Sequence, residues 1–284
     1  MIIFKKPGAL YKVLEEKRVD QKIIGFAPTM GALHAGHLSL VKEAKQENDL
    51  VVTSIFVNPT QFNDPEDFKK YPVTIEKDIL MFEKEGSHVL FLPSVQDIYP
   101  NGIRDLKHYE LGFLETILEG KFRPGHFQGV CQVMHRLLEI ILPDNLYLGQ
   151  KDYQQCMVIK KLVELTGLDH KIKVNICPTL REGDGLAMSS RNTRLDPGDR
   201  IKATTISAAL RYIKGNIQQG NTGRIKDEAK EMLSQKGFQT DYIEIANADT
   251  LDTVEDWDGK EKIVALAAAF LNNIRLIDNM VINP

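Results

Sequence analysis

The chain has 284 residues, of which 43% are hydrophobic and 26% are charged, a balance typical of a globular protein with a sizeable core. Its formal net charge of -3 gives no general attraction to nucleic acid or to an anionic membrane surface. The three cysteines are far apart and form no CxxC pair, which argues against a zinc knuckle or a redox dithiol. The odd cysteine count, a charged N-terminus unlike a signal peptide and the lack of an apolar stretch of ~18–20 residues predict a cytoplasmic protein with no membrane span.

Apolar, β-branched runs alternate with amphipathic helical patterns over the first part of the chain. The predicted strands are 22–29, 50–58, 88–93, 145–149 and 172–179, and the predicted helices between them are 37–48, 74–86, 129–142 and 153–167. Continuous apolar strands separated by helices indicate an α/β fold, with a Rossmann-like parallel sheet covered by helices on both faces. In such sheets ligands bind at the carboxyl ends of the strands.

The pattern changes after about residue 180. Helical segments are predicted at 198–218 and 222–236, followed by strands at 240–247 and within 262–282. Ala265–Ala269 is compatible with either helix or strand. We therefore expect two domains, a Rossmann-like domain at 1–178 and a smaller α+β lid domain at 179–284.

The stretch FAPTMGALHAGHLSLV, residues 26–41, joins a predicted strand to a predicted helix. Gly31 permits a tight turn, and Gly36 permits close approach of a ligand. His34 and His37 fall on one face of the first helical turn, where free N–H groups and the helix dipole suit a phosphate. The alternative is that one histidine caps the helix and the other lies on the surface; two histidines with two glycines favour a nucleotide site.

Polar residues follow the second predicted strand and precede the 129–142 helix. Asn58 and Gln61 are neutral donors and acceptors suited to hydroxyls and a carboxylate, although an Asn-Pro turn is common in loops. Arg123 and His126 lie in a Gly/Pro loop, where an arginine could bind phosphate or carboxylate or simply lie on the surface.

Two later stretches also offer groups for phosphate. Lys151 follows the strand that ends at Gly149 and can reach a phosphate, while Asp152 suits an N-cap and Gln155 lies in the helix's first turn. Ser189–Arg191 follow a Gly-containing acidic loop and read equally well as a phosphate clamp or a helix cap.

Together these five stretches resemble the pantothenate synthetase (pantoate–β-alanine ligase) family. PTMGALHAGH resembles the HxGH signature of the wider nucleotidylyl-transferase group, which includes class I aminoacyl-tRNA synthetases, and MSSR resembles that group's mobile phosphate-binding motif. HxGH alone indicates only adenylylation. FVNPTQF, RPGHF, GQKDYQQ and DGLAMSSRN, in this order and spacing, resemble pantothenate synthetases specifically. The resemblance is strong over about residues 24–194. The remainder of the chain resembles the family in its length and closing pattern.

The resemblance implies a reaction in two steps. ATP and pantoate would give pantoyl adenylate and pyrophosphate, and the amine of β-alanine would then attack the acyl adenylate to give pantothenate and AMP. Such catalysis is mostly positioning and stabilisation of phosphate charge, which agrees with the lack of an obvious protein nucleophile.

The resemblance also implies roles for individual residues. His37 would be the proton donor, and Gln61 would hold pantoate and border the β-alanine position. The catalytic group would be His34, His37, Lys151, Ser189, Ser190 and Arg191. The ATP-contacting positions would be Met30, Gly31, Ala32, Leu33, His34, Ala35, Gly36, His37, Gly149, Gln150, Lys151, Asp152, Leu180, Met188, Ser189, Ser190 and Arg191, and the substrate-binding positions would be Asn58, Gln61, Arg123, His126 and Gln155.

The sequence departs from the family pattern at three places. Ala35 stands where many members carry an acidic residue, and Gln150 is a mild variation beside Lys151. Where members often have adjacent acidic residues that hold Mg²⁺, Lys77 precedes Asp78. Asp78 is therefore the one candidate magnesium ligand, with ATP phosphates and water supplying the other positions.

We expect an ATP-dependent ligase that forms a homodimer through its first domain, as the family commonly does, and binds neither nucleic acid nor membranes. One alternative is another nucleotidyltransferase acting on a phosphorylated substrate, which would need more basic residues than the neutral Asn58, Gln61 and Gln155. The other is a non-catalytic nucleotide-binding regulator, which would have no need of both histidines together with Lys151 and Arg191.

Overall fold

The computed structural model describes residues 1–63 and 65–283. The chain forms two compact units: Met1–Gly149 with Val158–Pro178, and Gln150–Met157 with the residues from Thr179 onward. The short segment Gln150–Met157 thus groups with the second unit, although it precedes the last strand of the first. The division into domains at 1–178 and 179–284 stays a prediction.

A parallel sheet forms the centre of the first unit. Its strands are β1 (Ile2–Phe4), β2 (Ile24–Thr29), β3 (Leu50–Ile55), β4 (Val89–Phe91), β5 (Asn145–Gly149) and β6 (Lys173–Cys177). Their order is β1-β4-β3-β2-β5-β6, and each neighbouring pair is parallel. The Rossmann-like sheet expected from the sequence is confirmed. The strand order reverses between β2 and β5, which is where open α/β sheets bind ligands.

Helices flank this sheet. They are α1 (Pro7–Val19), α2 (Ala35–Glu47), α3 (Pro65–Lys69), α4 (Ile75–Glu85), α5 (Val95–Ile98), α6 (Leu118–Phe122), α7 (His126–Ile141) and α8 (Tyr153–Leu165), and short 3₁₀ helices cover Pro59–Gln61 and Gly112–Glu115. A further 3₁₀ helix, Gln150–Asp152, and the start of α8 up to Met157 group with the second unit. Phe82 of α4 and Val41 of α2 pack with Leu90 of β4 in one core cluster. Gly86 ends α4 in the left-handed conformation (φ 90°), a common helix stop that the sequence predicted.

The second unit is built on an antiparallel sheet. Its strands β8 (Phe238–Asn247), β10 (Ile263–Leu271) and β11 (Ile274–Ile282) lie in the order β11-β10-β8, and β7 (Gly220–Asn221) pairs separately with β9 (Asp256–Trp257). Its helices are α9 (Pro197–Ala203), α10 (Thr205–Asn216) and α11 (Gly223–Ser234), with a 3₁₀ helix at Ser190–Arg194. The expected smaller α+β part is confirmed.

Several elements differ from their prediction. The helix expected at 198–218 is divided at Thr204 into α9 and α10, and the helix expected to start at 129 begins at His126. Ala265–Ala269 is a strand, because it lies in β10, which is bonded on both sides and buried. Over the described ranges, no helix has the length and apolar character needed to cross a bilayer.

Candidate active site

The loop after β2 is held in an uncommon backbone conformation. Gly31 has φ 82° and Ala32 has φ 50°, both in the left-handed region. Glycine adopts this region freely, whereas alanine does so only where surrounding contacts compensate. A Cβ on Gly31 would also lie 3.0 Å from both Asp78 Oδ2 and Ile55 Cγ2. This loop therefore has little freedom, and it leads directly into α2.

Asp78 supplies the compensating contacts. It lies in the first turn of α4 and is fully buried. Oδ2 accepts the N–H of Ala32 and Oδ1 accepts the N–H of Leu33, each at 2.9 Å, and the Thr74 hydroxyl donates to Oδ1 at 3.1 Å. A buried carboxylate is tolerated only with such partners, so these bonds both satisfy the charge and tie α4 to the loop.

The two histidines occupy the start of α2, as the sequence predicted. His34 is the N-cap, and His37 is the third residue of the helix. Their rings lie with centroids 4.0 Å apart, and His37 Nδ1 accepts the N–H of His34 at 3.4 Å. Because Nδ1 is the acceptor, a neutral His37 carries its proton on Nε2, which can then donate to a ligand. The His37 side chain can thus accept the capping hydrogen bond through Nδ1 and still donate to a ligand through Nε2.

Gln61 lies beside this loop in the first unit. Its Nε2 donates to Met30 Sδ at 3.1 Å, and its Oε1 accepts from Asn58 Nδ2 at 3.2 Å. Asn58, only 1% exposed, also donates to the carbonyl of Gly129 at 3.0 Å. Tyr99 donates its hydroxyl to Asn58 Oδ1 at 2.9 Å, and burial raises the pKa of Tyr99, which keeps that hydroxyl protonated. These contacts make Asn58 a support for Gln61, and its direct contact with substrate stays a prediction.

His126 and Arg123 also support Gln61. His126 Nδ1 donates to the Gln61 carbonyl at 2.8 Å, and Arg123 Nη1 donates to His126 Nε2 at 3.1 Å. The two bonds require a neutral His126 with its proton on Nδ1. Arg123 also pairs with Glu119 at 3.7 Å. The described contacts connect this pair to Gln61 through its backbone, while a contact with substrate stays a prediction.

The second unit holds Lys151 in a short 3₁₀ helix. This helix, Gln150–Asp152, directly precedes α8. Asn279 of β11 donates to the carbonyls of Gln150 and Lys151 at 2.9 and 2.8 Å, and its Oδ1 accepts from the Gln150 amide at 3.1 Å. Asp152 is exposed at the position before α8, and Gln155 is half-buried in its first turn. Gly149 ends β5 in the first unit.

The predicted clamp residues lie at the end of a tight loop in the second unit. Arg181 and Ala187 form an antiparallel bridge, and the N–H of Met188 donates to the carbonyl of Leu180 at 3.1 Å. Ser189 is the N-cap of the 3₁₀ helix Ser190–Arg194, and its hydroxyl accepts the N–H of Arg191 at 3.2 Å. The capping alternative therefore holds for Ser189, while a phosphate contact stays a prediction.

The surroundings of Asp78 bear on its predicted role as a magnesium ligand. In the described part of the chain, no group of three or more His, Cys, Asp or Glu side chains is placed to hold a metal ion. Both oxygens of Asp78 accept bonds from the protein, and Lys77 is exposed. The assignment of Mg²⁺ to Asp78 gains no support from this arrangement and stays a prediction.

The cysteines offer no activated thiolate at two of their three positions. All three are buried. Burial raises the pKa of Cys131 to about 12 and that of Cys177 to about 11. Both thiols are therefore protonated at neutral pH.

Comparison with known proteins identifies the family. The family model described as pantoate-beta-alanine ligase matches residues 2–281. The chain belongs to the pantoate–β-alanine ligase family. It is 45% identical over 271 residues to the pantothenate synthetase of Cytophaga hutchinsonii, covering 94% of each chain, and 44% identical to that of Flavobacterium psychrophilum, covering 99% of each.

Solved structures of the family have the same fold over the whole length. A pantothenate synthetase from Thermus thermophilus superposes with TM-score 0.90 at 37% identity, and 100% of each chain is covered. A pantoate-beta-alanine ligase from Francisella tularensis, crystallised with beta-gamma ATP and beta-alanine, superposes with TM-score 0.80 at 40% identity, covering 99% of this chain and 97% of that one.

Sequence reasoning missed the residues that hold the ligase motifs in place. Thr74, Gly129 and Asn279 each support a motif residue, and Asp78 was assigned to metal rather than to the loop. Thr74 is 42 residues from Ala32, to which Asp78 connects it. Asn279 is 128 residues from Lys151, whose carbonyl it binds. Only the tertiary structure brings them together, although an Asp-Asn pair inside an apolar strand was a visible signal.

We predict that Gly129→Ala destabilises the protein. A Cβ there would lie 2.3 Å from the Thr60 carbonyl oxygen, forcing α7 away from the turn that carries Gln61. The expected loss is about 1–3 kcal/mol in the free energy of unfolding, measured with denaturant. Gly215→Ala, in α10 with open space around it, is the matched control and should gain up to about 1 kcal/mol. Equal behaviour of the two variants would refute the close-contact argument.

We predict that Asp78→Asn weakens ATP binding by disturbing the loop after β2. The new amide would set a donor against the backbone N–H of Ala32 or Leu33, so the loop would lose its conformation. Initial rates over a grid of ATP and Mg²⁺ concentrations should show KM for ATP raised about tenfold or more. Glu76→Gln, exposed on the same helix, is the control. A changed Mg²⁺ requirement with normal KM for ATP would instead support the metal assignment.

Proposed function

We propose that this member of the ligase family condenses pantoate with β-alanine in an ATP-dependent reaction that passes through pantoyl adenylate and releases AMP and pyrophosphate. One observation supports this reading above others. The neutral amide of Gln61 lies 3.1 Å from Met30, in the loop that leads to His34 and His37. A carboxylate bound by that amide would be adjacent to groups suited to phosphate.

In the first step, a pantoate carboxylate oxygen attacks the α-phosphorus of ATP. The new bond joins that oxygen to phosphorus, and the bond from phosphorus to the departing pyrophosphate breaks. His34 and His37 stabilise charge on the phosphates, with His37 donating through Nε2. Lys151, Ser189, Ser190 and Arg191 add charge and hydrogen bonds, and donors aimed at developing charge are usually the largest catalytic term in such reactions.

In the second step, the β-alanine amine attacks the acyl carbon of the adenylate. A carbon–nitrogen bond forms, the bond to AMP breaks, and the nitrogen loses a proton. Gln61 and Gln155 hold the pantoyl group in place, and Leu180 contacts adenine through its backbone. No group on the enzyme becomes acylated, so the protein contributes mainly positioning.

Mg²⁺ enters with the nucleotide, because this ion usually binds phosphates and water with at most one or two carboxylates. The protein acts in the cytoplasm as a homodimer formed through the first unit. The ATP and beta-alanine named for the Francisella tularensis structure support these substrates for the present chain.

The direct test is turnover with purified protein. ATP, pantoate and β-alanine together should give AMP and pyrophosphate, and pantoate alone should support exchange between ATP and pyrophosphate. A different nucleotidyltransferase would show no exchange dependent on pantoate, and a nucleotide-binding regulator would show none at all. Failure to release AMP with all three substrates present would reject the proposed reaction.

His37→Ala and His37→Asn should both lower turnover by ~10²-fold or more, the scale of a lost charge-stabilising donor. The asparagine variant keeps an acceptor near the position of Nδ1 and so preserves the bond from the His34 N–H, but it lacks Nε2. His170→Ala, at an exposed position, is the control and should turn over normally. Recovery of activity in the asparagine variant would mean that His37 serves only as a helix cap.

A further inference from the structure

Two consecutive polar residues lie within the apolar strand β11. Asp278 is 2% exposed and Asn279 is 1% exposed. Side chains alternate between the faces of a strand, so Asp278 shares its face with the core residues Leu276 and Ile282, and Asn279 faces the opposite way. Each residue reaches a different segment of the second unit.

Asn279 holds the 3₁₀ helix that carries Lys151. Its single amide group donates to two successive carbonyls, those of Gln150 at 2.9 Å and Lys151 at 2.8 Å, and accepts from the Gln150 side chain at 3.1 Å. A helix of three residues has almost no hydrogen bonds of its own. The Asn279 side chain therefore helps to set the orientation of the Lys151 backbone.

Asp278 holds the loop that leads to Met188–Arg191. Arg181 donates to both of its oxygens, at 2.6 and 2.9 Å, and also donates to the carbonyls of Gly185 at 3.1 Å and Asn279 at 3.2 Å. The guanidinium thus spans the base and the tip of the 181–187 loop and fastens both to β11. Asp278 Oδ1 also accepts the N–H of Asn279 at 2.8 Å, which links the two anchors.

The ion pair between Arg181 and Asp278 is a costly way to stabilise a strand. Asp278 loses its hydration in this ion pair and Arg181 loses most of its own, whereas a well-packed apolar pair of similar volume is often as stable or more so. Apolar side chains, however, could not fix the direction of the four backbone carbonyls that Arg181 and Asn279 bind. The two-donor geometry of arginine and the amide group of asparagine provide that directional control.

We propose that Asp278 and Asn279 are positioning residues for ATP: Asn279 acts through Lys151, and Asp278 acts through Arg181 on the loop leading to Met188–Arg191. The proposal rests on the proposed function, because that function makes Lys151 and Arg191 phosphate-binding groups. Two adjacent residues of β11 thereby fix the positions of two phosphate-binding segments, which are far apart from each other in the sequence.

The first experiment measures local structure and ATP binding, neither of which requires turnover. Amide hydrogen exchange should rise in 150–153 for Asn279→Ala and in 181–188 for Asp278→Asn, with the core of β10 protected as in the unaltered protein. Calorimetric binding of a non-hydrolysable ATP analogue should weaken about tenfold or more in each variant. Arg181→Lys, which keeps the charge but loses the two-donor geometry, should behave like Asp278→Asn and serves if that variant does not fold.

Two matched controls lie in the same unit. Asp241→Asn breaks the pair with Arg275, 2.7 Å apart, and Asn247→Ala removes another side-chain amide that supports a turn. Both should bind the analogue within about twofold of the unaltered protein, on the scale of substitutions away from a site. Equal weakening in the controls would show a general loss of stability and would overturn the proposal.

The second experiment tests whether Asn279 acts through Lys151. In a Lys151→Ala background, Asn279→Ala should weaken analogue binding by less than about threefold, because residues that act through one another are not additive. Full additivity would overturn the proposal. Normal analogue binding without AMP release would count against the proposed function alone, whereas no analogue binding by the unaltered protein would reject both.

Discussion

A buried carboxylate that accepts two successive backbone N–H groups determines the geometry of the first unit's candidate site. Asp78 stabilises the left-handed conformation of Ala32, which alanine alone disfavours, by accepting its N–H, and Thr29 Oγ1 accepts the N–H of Gly31 at 3.2 Å. The start of α2 follows from that loop within two residues, so the relative placement of His34 and His37 depends on it. The carboxylate in turn is tolerated in the interior because its oxygens are satisfied.

The second unit solves the same problem with different groups. A loop or a short 3₁₀ helix lacks most of the backbone hydrogen bonds that stabilise a regular helix or sheet. Its conformation must be set by side chains from neighbouring regular elements. Asn279 and Asp278 on β11 do this for Lys151 and for the 181–187 loop, as Asp78 on α4 does for the loop after β2.

The sequence predicted the regular elements well where a pattern is local. Alternation of apolar runs and amphipathic segments was sufficient for β5 at 145–149, which matches its prediction residue for residue. Three-residue β1 was missed because so short a run has no periodicity to detect, and β10 was ambiguous because alanine favours helix while burial between two strands favours sheet. The motif residues were found by their chemistry, but Asp78 and Asn279 were not assigned as anchors because their partners are distant in the sequence.

Gln61 shows why a well-supported residue can still be available for a substrate. Its carbonyl is held by His126 and its Oε1 by Asn58, whereas its Nε2 donates to the sulfur of Met30. A thioether is a weak acceptor, so exchanging it for a carboxylate oxygen strengthens the hydrogen bond at little cost. The backbone and the carbonyl end of Gln61 are thus fixed while its donor end stays exchangeable. Fixed placement with a weakly engaged donor would suit the recognition of a carboxylate that is proposed for Gln61.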